Sequence, residues 1–328
     1  MQIHVFVFGL QGVRQVILAM LLAGILIASA NGQVETESRS GVELIVLGVA
    51  QDAGYPQAGC RKPCCQRAWE NSEAKRFPTC LAIVDHDSHQ RWLLECTPQF
   101  TDQLNLLDQL CPNDDASLGV DGILLTHAHI GHYAGLMFLG REVIGAQHVP
   151  VYAMPRMMDF LTTQGPWRQL VTLGNIELQP IREELEFQLN ERIRVTAILV
   201  PHRDEYSETV AFRVSGPEKS FLFLPDIDKW ERWDRAIEDE IAKVDYAFLD
   251  ATFYDGDELP GRDMSEIPHP FVVETLDRLR DLDSASKAKV HLIHFNHTNP
   301  LLNAESEAAA DVTAHGFNVA QQGMRIRF

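Results

Sequence analysis

The sequence predicts one domain of mixed α and β structure, in which helices cover β-sheets. Hydrophobic residues make up 45% and charged residues 23% of the 328 residues, which is close to ordinary globular usage and predicts a packed core. Apolar runs typical of strands come in groups of two or three, and amphipathic segments lie between the groups. Repeats, low-complexity segments and a second linker are absent from the sequence after residue 41, so one domain over 42–328 is expected.

The first 33 residues differ in composition from the rest. They carry one charge, Arg14, followed by an apolar run over 16–30 that ends in small residues. This order is typical of a secretory signal, so we predict a signal peptide over 1–32 and a polar linker over 33–41. The alternative is a membrane anchor, but the run is shorter than the roughly 20 residues of a membrane span. We therefore expect an exported protein, periplasmic or secreted, without stable membrane insertion after cleavage.

The first half of the domain alternates strands with two helices. Two of its strands flank the polar turn "DSHQ" and read as a hairpin. The helices are predicted because apolar residues recur at spacings of three and four. The strands are expected at 42–50, 81–86, 91–96, 119–127 and 149–154, and the helices at 101–110 and 156–163.

The second half repeats this alternation. Its strands are continuous apolar runs that end in polar residues, and its second helix begins with a proline, a residue favoured at the first helical position. The strands are expected at 193–202, 209–214, 220–226, 245–253 and 289–295, and the helices at 229–244 and 270–282.

Three histidines are concentrated in "LLTHAHIGHYAGL", directly after a predicted strand. His127 and His129 are two residues apart and share a face of an extended chain, and His132 reaches the same point if a helix follows. Burying unpartnered imidazoles is costly, so the spacing favours a metal site over a core. Later predicted strands also end in polar side chains that suit a metal, namely His202, Asp226 and His294. Each of these residues alone is more typical of a helix cap or a turn.

The cysteines fall into two groups. Three lie within six residues and predict either a metal site or, in an exported protein, disulfides; the tight spacing favours metal. This cluster consists of Cys60, Cys64 and Cys65, and the other three, read as small buried hydrophobic residues, are Cys80, Cys96 and Cys111.

The net charge of −18 disfavours nucleic acids and anionic membranes as partners and leaves a small-molecule substrate as the expectation. Nothing in the sequence indicates an oligomeric state.

The order of these motifs resembles the metallo-β-lactamase superfamily, which has a His-x-His-x-Asp-His run, then a later His, an Asp and a final His. Within it, "GVAQDAGYPQAGC", "VPHRDEYSETVAFRV", "LPDIDKW", "DATFYDGDEL" and "IHFNHTNP" resemble the pyrroloquinoline-quinone biosynthesis protein B family. The chain is also similar to the cyclic phosphodiesterases of phosphonate breakdown. The resemblance covers 42–328 and implies an α/β fold, an αββα sandwich with a metal site at one edge between two sheets.

The resemblance implies two neighbouring metal positions, the first held by His127, His129 and His202. The second is held by His132, His294 and the bridging Asp226. Gly131 stands where the superfamily has its aspartate, so the second position is one carboxylate short. This predicts a single metal, a weak second metal, or a ligand from elsewhere in the chain. The glycine itself is explained by a positive φ angle if the backbone there requires one.

The cysteine cluster also has a counterpart in the phosphodiesterase family, whose Cys-x-Cys-x-x-Cys and a later histidine hold a structural zinc. Cys60 and Cys65 match the outer cysteines, Lys62 occupies the middle position, and Cys64 is expected to serve instead. His297 matches the histidine. Three thiolates and one imidazole would form a closed tetrahedral zinc site.

The function implied is metal-dependent hydrolysis of an ester, lactam or phosphodiester, with one or two zinc ions, or Fe²⁺ or Mn²⁺, at the active site. Asp226 would orient the nucleophilic water, and His269 would protonate the leaving group; the alternative for His269 is a simple helix-entry residue. Asp52 and Tyr55 are candidates to line the pocket, and Glu205 is either a pocket residue or a solvated charge. The competing functions are an iron-dependent hydroxylase of quinone-cofactor biosynthesis and a non-catalytic metal-binding protein.

Overall fold

The computed structural model describes residues 40–112 and 118–328, together with Gln2. The predicted signal peptide over 1–32, apart from Gln2, and residues 33–39 of the predicted linker over 33–41 lie outside this part of the chain. The described strands, in chain order, are β1 Val42–Gly48, β2 Cys80–Asp85, β3 Gln90–Leu94, β4 Gly122–Leu124, β5 Val149–Ala153, β6 Ile176–Pro180, β7 Phe187–Gln188, β8 Arg194–Leu199, β9 Val210–Ser215, β10 Ser220–Leu224, β11 Tyr246–Asp250, β12 Val290–Ile293, β13 Asn318–Val319 and β14 Arg325–Arg327.

The helices of the described chain lie between and after these strands. They are α1 Pro63–Glu70, α2 Phe100–Leu110, α3 Ile130–Tyr133, α4 Pro155–Thr163, α5 Trp167–Thr172, α6 Ile237–Ala242, α7 Val272–Arg278, α8 Ser284–Lys287 and α9 Glu307–Ala314. Short 3₁₀ turns occupy Ser72–Ala74, Ala134–Leu139, Trp230–Arg232, Met264–Glu266 and Pro300–Leu302. None of the helices in the described residues is long and apolar enough to cross a membrane.

The strands form two sheets, each of seven strands within the described residues. Their orders are β14-β1-β2-β3-β4-β5-β6 and β13-β12-β11-β10-β9-β8-β7. Strand β1 shows how they pack: Leu44 and Val46 belong to the cluster shared with the second sheet, whereas Ile45 and Leu47 belong to the cluster shared with α2. Successive side chains of a strand point to opposite faces, so a strand buried on both faces reads as a continuous apolar run.

Helices cover the outer side of each sheet. Phe100 and Leu107 of α2 join the apolar cluster of the first sheet, and Ile237 of α6 and Val272 of α7 join that of the second. The fold is therefore the expected αββα sandwich of the metallo-β-lactamase type.

Strand direction brings the functional loops to one edge. In the first sheet β1 and β3 are both antiparallel to β2, and β3 is parallel to β4, so β1, β3 and β4 point the same way. In the second sheet β8 and β10 are both antiparallel to β9, and β10, β11 and β12 are mutually parallel. The loops that follow each set of strands therefore emerge together, and ligand sites in such sheets form outside the carboxyl ends of strands.

The predicted strands are all present, and two features differ from the expectation. The single helix predicted over 229–244 is wrong: the segment forms a 3₁₀ turn at Trp230–Arg232 and the short helix α6. Both indoles of this segment are buried against different elements, since Trp230 Nε1 donates to Thr275 Oγ1 and Trp233 Nε1 to the Leu199 carbonyl. The second difference is that several elements have no sequence prediction, among them the helices α1 and α9 and the edge strands β7 and β13.

Candidate metal centre

The first sheet contributes three imidazoles from the segment after β4. His127 and His129 are in extended backbone, and α3 begins directly afterwards, so that the His132 amide donates to the His129 carbonyl at 2.9 Å. His127 Nε2 lies 2.8 Å from His129 Nδ1, and the ring centroids of His127 and His132 are 4.3 Å apart. The strand-to-helix turn therefore converges the three rings, as the spacing predicted.

The second sheet contributes His202, Asp226 and His294 from the ends of β8, β10 and β12. Asp226 Oδ2 lies 3.0 Å from His132 Nε2 and 3.2 Å from His294 Nε2. The other carboxylate oxygen, Oδ1, lies 3.6 Å from His202 Nε2. Asp226 thus stands between two groups of imidazoles, the position expected of a bridging ligand.

The six residues predicted as active-site ligands meet at this one point, and their donor atoms form overlapping groups. In each group the ligand atoms lie within 4.8 Å of one another. The groups are His127, His129 and His202; His127, His132 and Asp226; and Asp52, His132 and His294. The geometry therefore offers two adjacent cation positions that share Asp226.

Each of the five imidazoles has an oxygen partner on the ring nitrogen that faces away from the centre. The outward nitrogens lie 2.9–3.3 Å from these oxygens. The pairs are His127 with Thr126, His132 with Glu95, His202 with Asp228, His294 with Thr252, and His129 with Glu205. Such outer partners fix the tautomer of metal-ligating histidines and leave the inward nitrogen as an electron-pair donor.

Several inward atoms lack a normal hydrogen bond. His202 Nε2, His294 Nε2 and Asp226 Oδ2 are buried without one. A buried polar atom that is left unsatisfied costs about 1–3 kcal/mol. Three such atoms pointing at one place, in a shell of imidazole and carboxylate donors, fit a divalent cation.

The electrostatics of the site also favour a positive charge at its centre. Burial lowers the pKa of His127 well below its usual value, which keeps its imidazole neutral. Burial also opposes a charge on His132, but the carboxylates of Glu95 and Asp226 outweigh it and raise the His132 pKa well above its usual value. Although burial raises the pKa of Asp226, the charges of His294 and His132 outweigh this and hold it well below its usual range. The Glu95 and Asp226 carboxylates therefore favour positive charge at this position, and a divalent cation would supply it.

Glu95 is a site residue that sequence reasoning missed. It is fully buried after β3, where it accepts a hydrogen bond from the Thr126 hydroxyl and contacts His132 Nδ1. The sequence feature that could have identified Glu95 is the one that identified Asp226, a carboxylate directly after an apolar strand.

Of the six non-glycine residues with positive φ in the described chain, three belong to this site: Asp52, Glu95 and His294. Such backbone costs about 1–3 kcal/mol per residue and concentrates at functional sites.

His269 reaches the centre from the loop before α7. Its Nδ1 lies 2.7 Å from Asp250 Oδ2 and 3.7 Å from Asp226 Oδ1. Burial alone would lower the pKa of His269, but the Asp250 carboxylate outweighs it and the pKa rises to about 8. Asp250 also accepts a hydrogen bond from Thr252, the partner of His294, so one network joins the two histidines.

The cysteine cluster is a second, separate group of donors. Cys60 Sγ and Cys64 Sγ are 3.8 Å apart, and His297 Nδ1 lies 3.8 Å from Cys64 Sγ and 3.4 Å from Cys65 Sγ. A tetrahedral zinc with Zn–S bonds of about 2.3 Å places its ligand atoms roughly 3.5–3.8 Å from one another. Cys60, Cys64 and Cys65 form no disulfide, and at 3.8 Å the Cys60 and Cys64 sulfurs have the spacing of zinc ligands rather than of a disulfide. Burial raises the pKa of Cys65 to about 12, so its thiolate requires a cation nearby.

Two expectations near these sites need correction. Gly131 lies in α3 and is absent from the positive-φ residues, so its glycine is not explained by a left-handed backbone. Tyr55 does not line the active-site pocket: its hydroxyl donates to the Cys64 carbonyl at 2.7 Å and supports the cysteine cluster.

A cleft of about 990 Å³ lies beside α9, but none of the candidate ligands lines it.

Comparison with known proteins agrees with this geometry. Residues 90–295 match the family model described as the Beta-lactamase superfamily domain. Curated relatives named coenzyme PQQ synthesis protein B, from Xanthomonas campestris pv. campestris (strain B100) and Methylorubrum populi, are 26% and 25% identical; each alignment covers 87% of this chain and 99% of the relative.

Two solved structures show the same fold. The chain is similar to Zn(2+)-bound PqqB from Methylobacterium extorquens, with a TM-score of 0.74 and 22% identity over 87% of this chain and 100% of that one. It is also similar to a diphosphatase from the PhnP family, with a TM-score of 0.60 and 21% identity over 88% and 97% of the two chains. The strand-end ligands, the two facing sheets and the family match lead to one conclusion: the chain belongs to the β-lactamase superfamily, in which it is PqqB-like.

Proposed function

We propose that the protein is a metal-dependent hydrolase that acts on a small molecule. The observation that carries the proposal is the convergence of five imidazoles and Asp226, each imidazole held by an oxygen on its outward nitrogen. That arrangement presents electron pairs, not N–H groups, to the centre of the site.

The donor set suits zinc, Fe²⁺ or Mn²⁺, and the zinc-bound structure of the PqqB relative favours zinc. The first ion would be held by His127, His129 and His202. The second would be held by His132 and His294, with Asp226 shared. A divalent metal in such a site supplies Lewis-acid polarisation of the scissile group and an acidified water nucleophile.

The chain's own residues supply the remaining steps. Asp226 accepts a hydrogen bond from the attacking water and orients it. His269, held by Asp250 with its pKa near 8, carries a proton at neutral pH and delivers it to the departing oxygen or nitrogen. Ile130 and Tyr206 are exposed and follow His129 and Glu205 directly in the sequence, so they are the candidates for apolar contacts with an organic substrate.

The second candidate is an iron-dependent hydroxylase of quinone-cofactor biosynthesis; the curated relatives are named for coenzyme PQQ synthesis, and those names specify neither the metal nor the reaction. Non-haem Fe²⁺ oxygenases typically bind one metal with two imidazoles and one carboxylate, and keep open positions for oxygen. Here five imidazoles and Asp226 lie around two adjacent positions, more donors than one ferrous ion requires. Hydrolysis is therefore the function that the geometry supports better.

The experiment is metal analysis followed by activity assays. Protein purified without chelator, and apo-protein reloaded with Zn²⁺, Mn²⁺ or anaerobic Fe²⁺, would be assayed on esters, lactams, phosphodiesters and diphosphates. We expect metal-dependent turnover that Asp226→Asn lowers by at least about 100-fold. Substrate-dependent oxygen uptake by the Fe²⁺ form without hydrolysis would establish the hydroxylase, and full metal occupancy with neither activity would establish a binding protein.

A further inference from the structure

Gly131 leaves space that another side chain occupies. A Cβ atom built on Gly131 would lie 2.4 Å from Asp52 Cα and 2.7 Å from Asp52 Oδ1. Real Cβ atoms do not approach that closely, so glycine is required here by the contact with Asp52. The carboxylate that the superfamily motif places at 131 is thus missing from α3, and a carboxylate from another loop lies in its place.

The loop after β1 holds Asp52 at this position. Ala50 forms bridges to Phe295 and to Pro78, and the Gln51 amide donates to the Phe295 carbonyl at 2.8 Å. Phe295 follows His294 directly, so the loop is tied to the strand end that carries a candidate ligand. Asp52 itself has a φ of 41°, a backbone that few non-glycine residues adopt.

The Asp52 carboxylate points toward the second cation position. Its Oδ1 lies 3.9 Å from His132 Nε2, and it forms a group with His132 and His294 whose donor atoms lie within 4.8 Å of one another. His294 Nε2 is buried and without a hydrogen bond. About 3–4 Å between donor atoms is the separation expected of ligands around one divalent ion, because metal–ligand bonds of roughly 2.0–2.2 Å leave such a gap.

We infer that Asp52 is the carboxylate ligand of the second metal, and that Gly131, because it has no side chain, leaves room for Asp52 at this position. The inference rests on the metal centre of the proposed function. It gives the two positions matched donor sets: one has three imidazoles and a share of Asp226, and the other has His132, His294, Asp52 and a share of Asp226. The second position has the extra carboxylate charge that a divalent cation favours, so both sites bind tightly.

The competing interpretation is that Asp52 is an ordinary loop acid, since 46% of its side chain is exposed. The two interpretations differ in what happens when the carboxylate is moved. If Asp52 is an ordinary loop acid, its removal leaves the number of bound zinc ions unchanged. If it is a ligand, removing its carboxylate weakens zinc binding, and a carboxylate introduced at residue 131 restores that binding.

The test is zinc titration of the full-length apo-protein, with stoichiometry from elemental analysis and affinity from competition with a chelator. The variants are Asp52→Asn, Gly131→Asp and the double variant Asp52→Gly with Gly131→Asp. Asp234→Asn, which removes an exposed carboxylate from another loop, is the matched control. The natural protein and the control are expected to bind three zinc ions per chain, one of them in the cysteine cluster.

In Asp52→Asn we expect the last zinc to bind at least about 100-fold more weakly, beyond the 10- to 100-fold typical of changes outside the ligand shell. Gly131→Asp alone should also lose this zinc, because its side chain collides with Asp52. The double variant should recover affinity to within about tenfold of the natural protein. That recovery is a result that a merely structural role for Asp52 would not produce.

Unchanged zinc affinity in Asp52→Asn would overturn the inference and leave the proposed hydrolase standing. A natural protein that binds two zinc ions in total would also overturn it, because the second position would then be absent. If the natural protein binds zinc in the cysteine cluster alone, and neither Fe²⁺ nor Mn²⁺ binds at the imidazole centre, the proposed function itself fails. The three failures give different zinc counts or affinities and are therefore distinguishable.

Discussion

His297 Nδ1 lies 3.4 Å from Cys65 Sγ, although 232 positions separate the two residues in the sequence. The contact joins the first turn of α1 to the segment after β12. Together with Cys60 and Cys64, these two residues form a set of four donors at the spacing of a closed zinc site.

Replacing Cys60 with serine is expected to remove about one zinc per chain and to lower the melting temperature by several degrees. The site ties two distant segments together, and structural zinc contributes about 10–16 kcal/mol in small zinc-finger peptides and less where a large core already exists. Elemental analysis and calorimetry measure both effects. Cys80→Ser, which alters a buried thiol outside the cluster, should keep the full zinc content. A Cys60→Ser protein with unchanged zinc would show that the cluster does not hold the ion.

Glu95→Gln is expected to weaken zinc binding at the imidazole centre by about 10- to 100-fold, the range typical of outer-shell partners. The amide keeps the shape of the carboxylate but removes the charge that holds His132 Nδ1 at 3.2 Å. Chelator competition measures the change. Asp108→Asn, which affects an exposed partner of Arg91, serves as control. Equal affinities in both variants would mean that Glu95 does not tune the centre.

His269→Gln is expected to slow hydrolysis of substrates with poor leaving groups by about 10²- to 10⁴-fold, the usual contribution of general acid catalysis. Substrates that release 4-nitrophenolate should be affected much less, because that group departs without a proton. Asp250→Asn should show the same selectivity, since it holds His269 Nδ1 at 2.7 Å. A loss that is equal for all leaving groups would assign His269 to substrate or metal positioning instead.

The apolar start of the sequence predicts a mature N-terminus between Asn31 and Glu35. N-terminal sequencing of protein recovered outside the cytoplasm measures it. Soluble protein that retains Met1 would contradict the predicted export.

The sequence determined the strands and the side chains that end them. Alternating or continuous apolar runs identify strands locally, and a polar residue directly after such a run must lie at a sheet edge, as His202, Asp226 and His294 do. Because β4 continues into α3, the spacing of His127, His129 and His132 was also sufficient to predict that they converge. These are local properties of the chain, and no distant contact is needed to read them.

Other features depended on the packing of the two sheets. Glu95, Asp228 and Asp250 resemble other carboxylates at strand ends, and their role follows only from the imidazole that each one faces. The sequence likewise showed that Gly131 lacks a carboxylate but not that Asp52 lies against it. The physical reason is that residue type and periodicity are encoded locally, whereas the partner of a buried charge is set by which loops the parallel strand ends bring together.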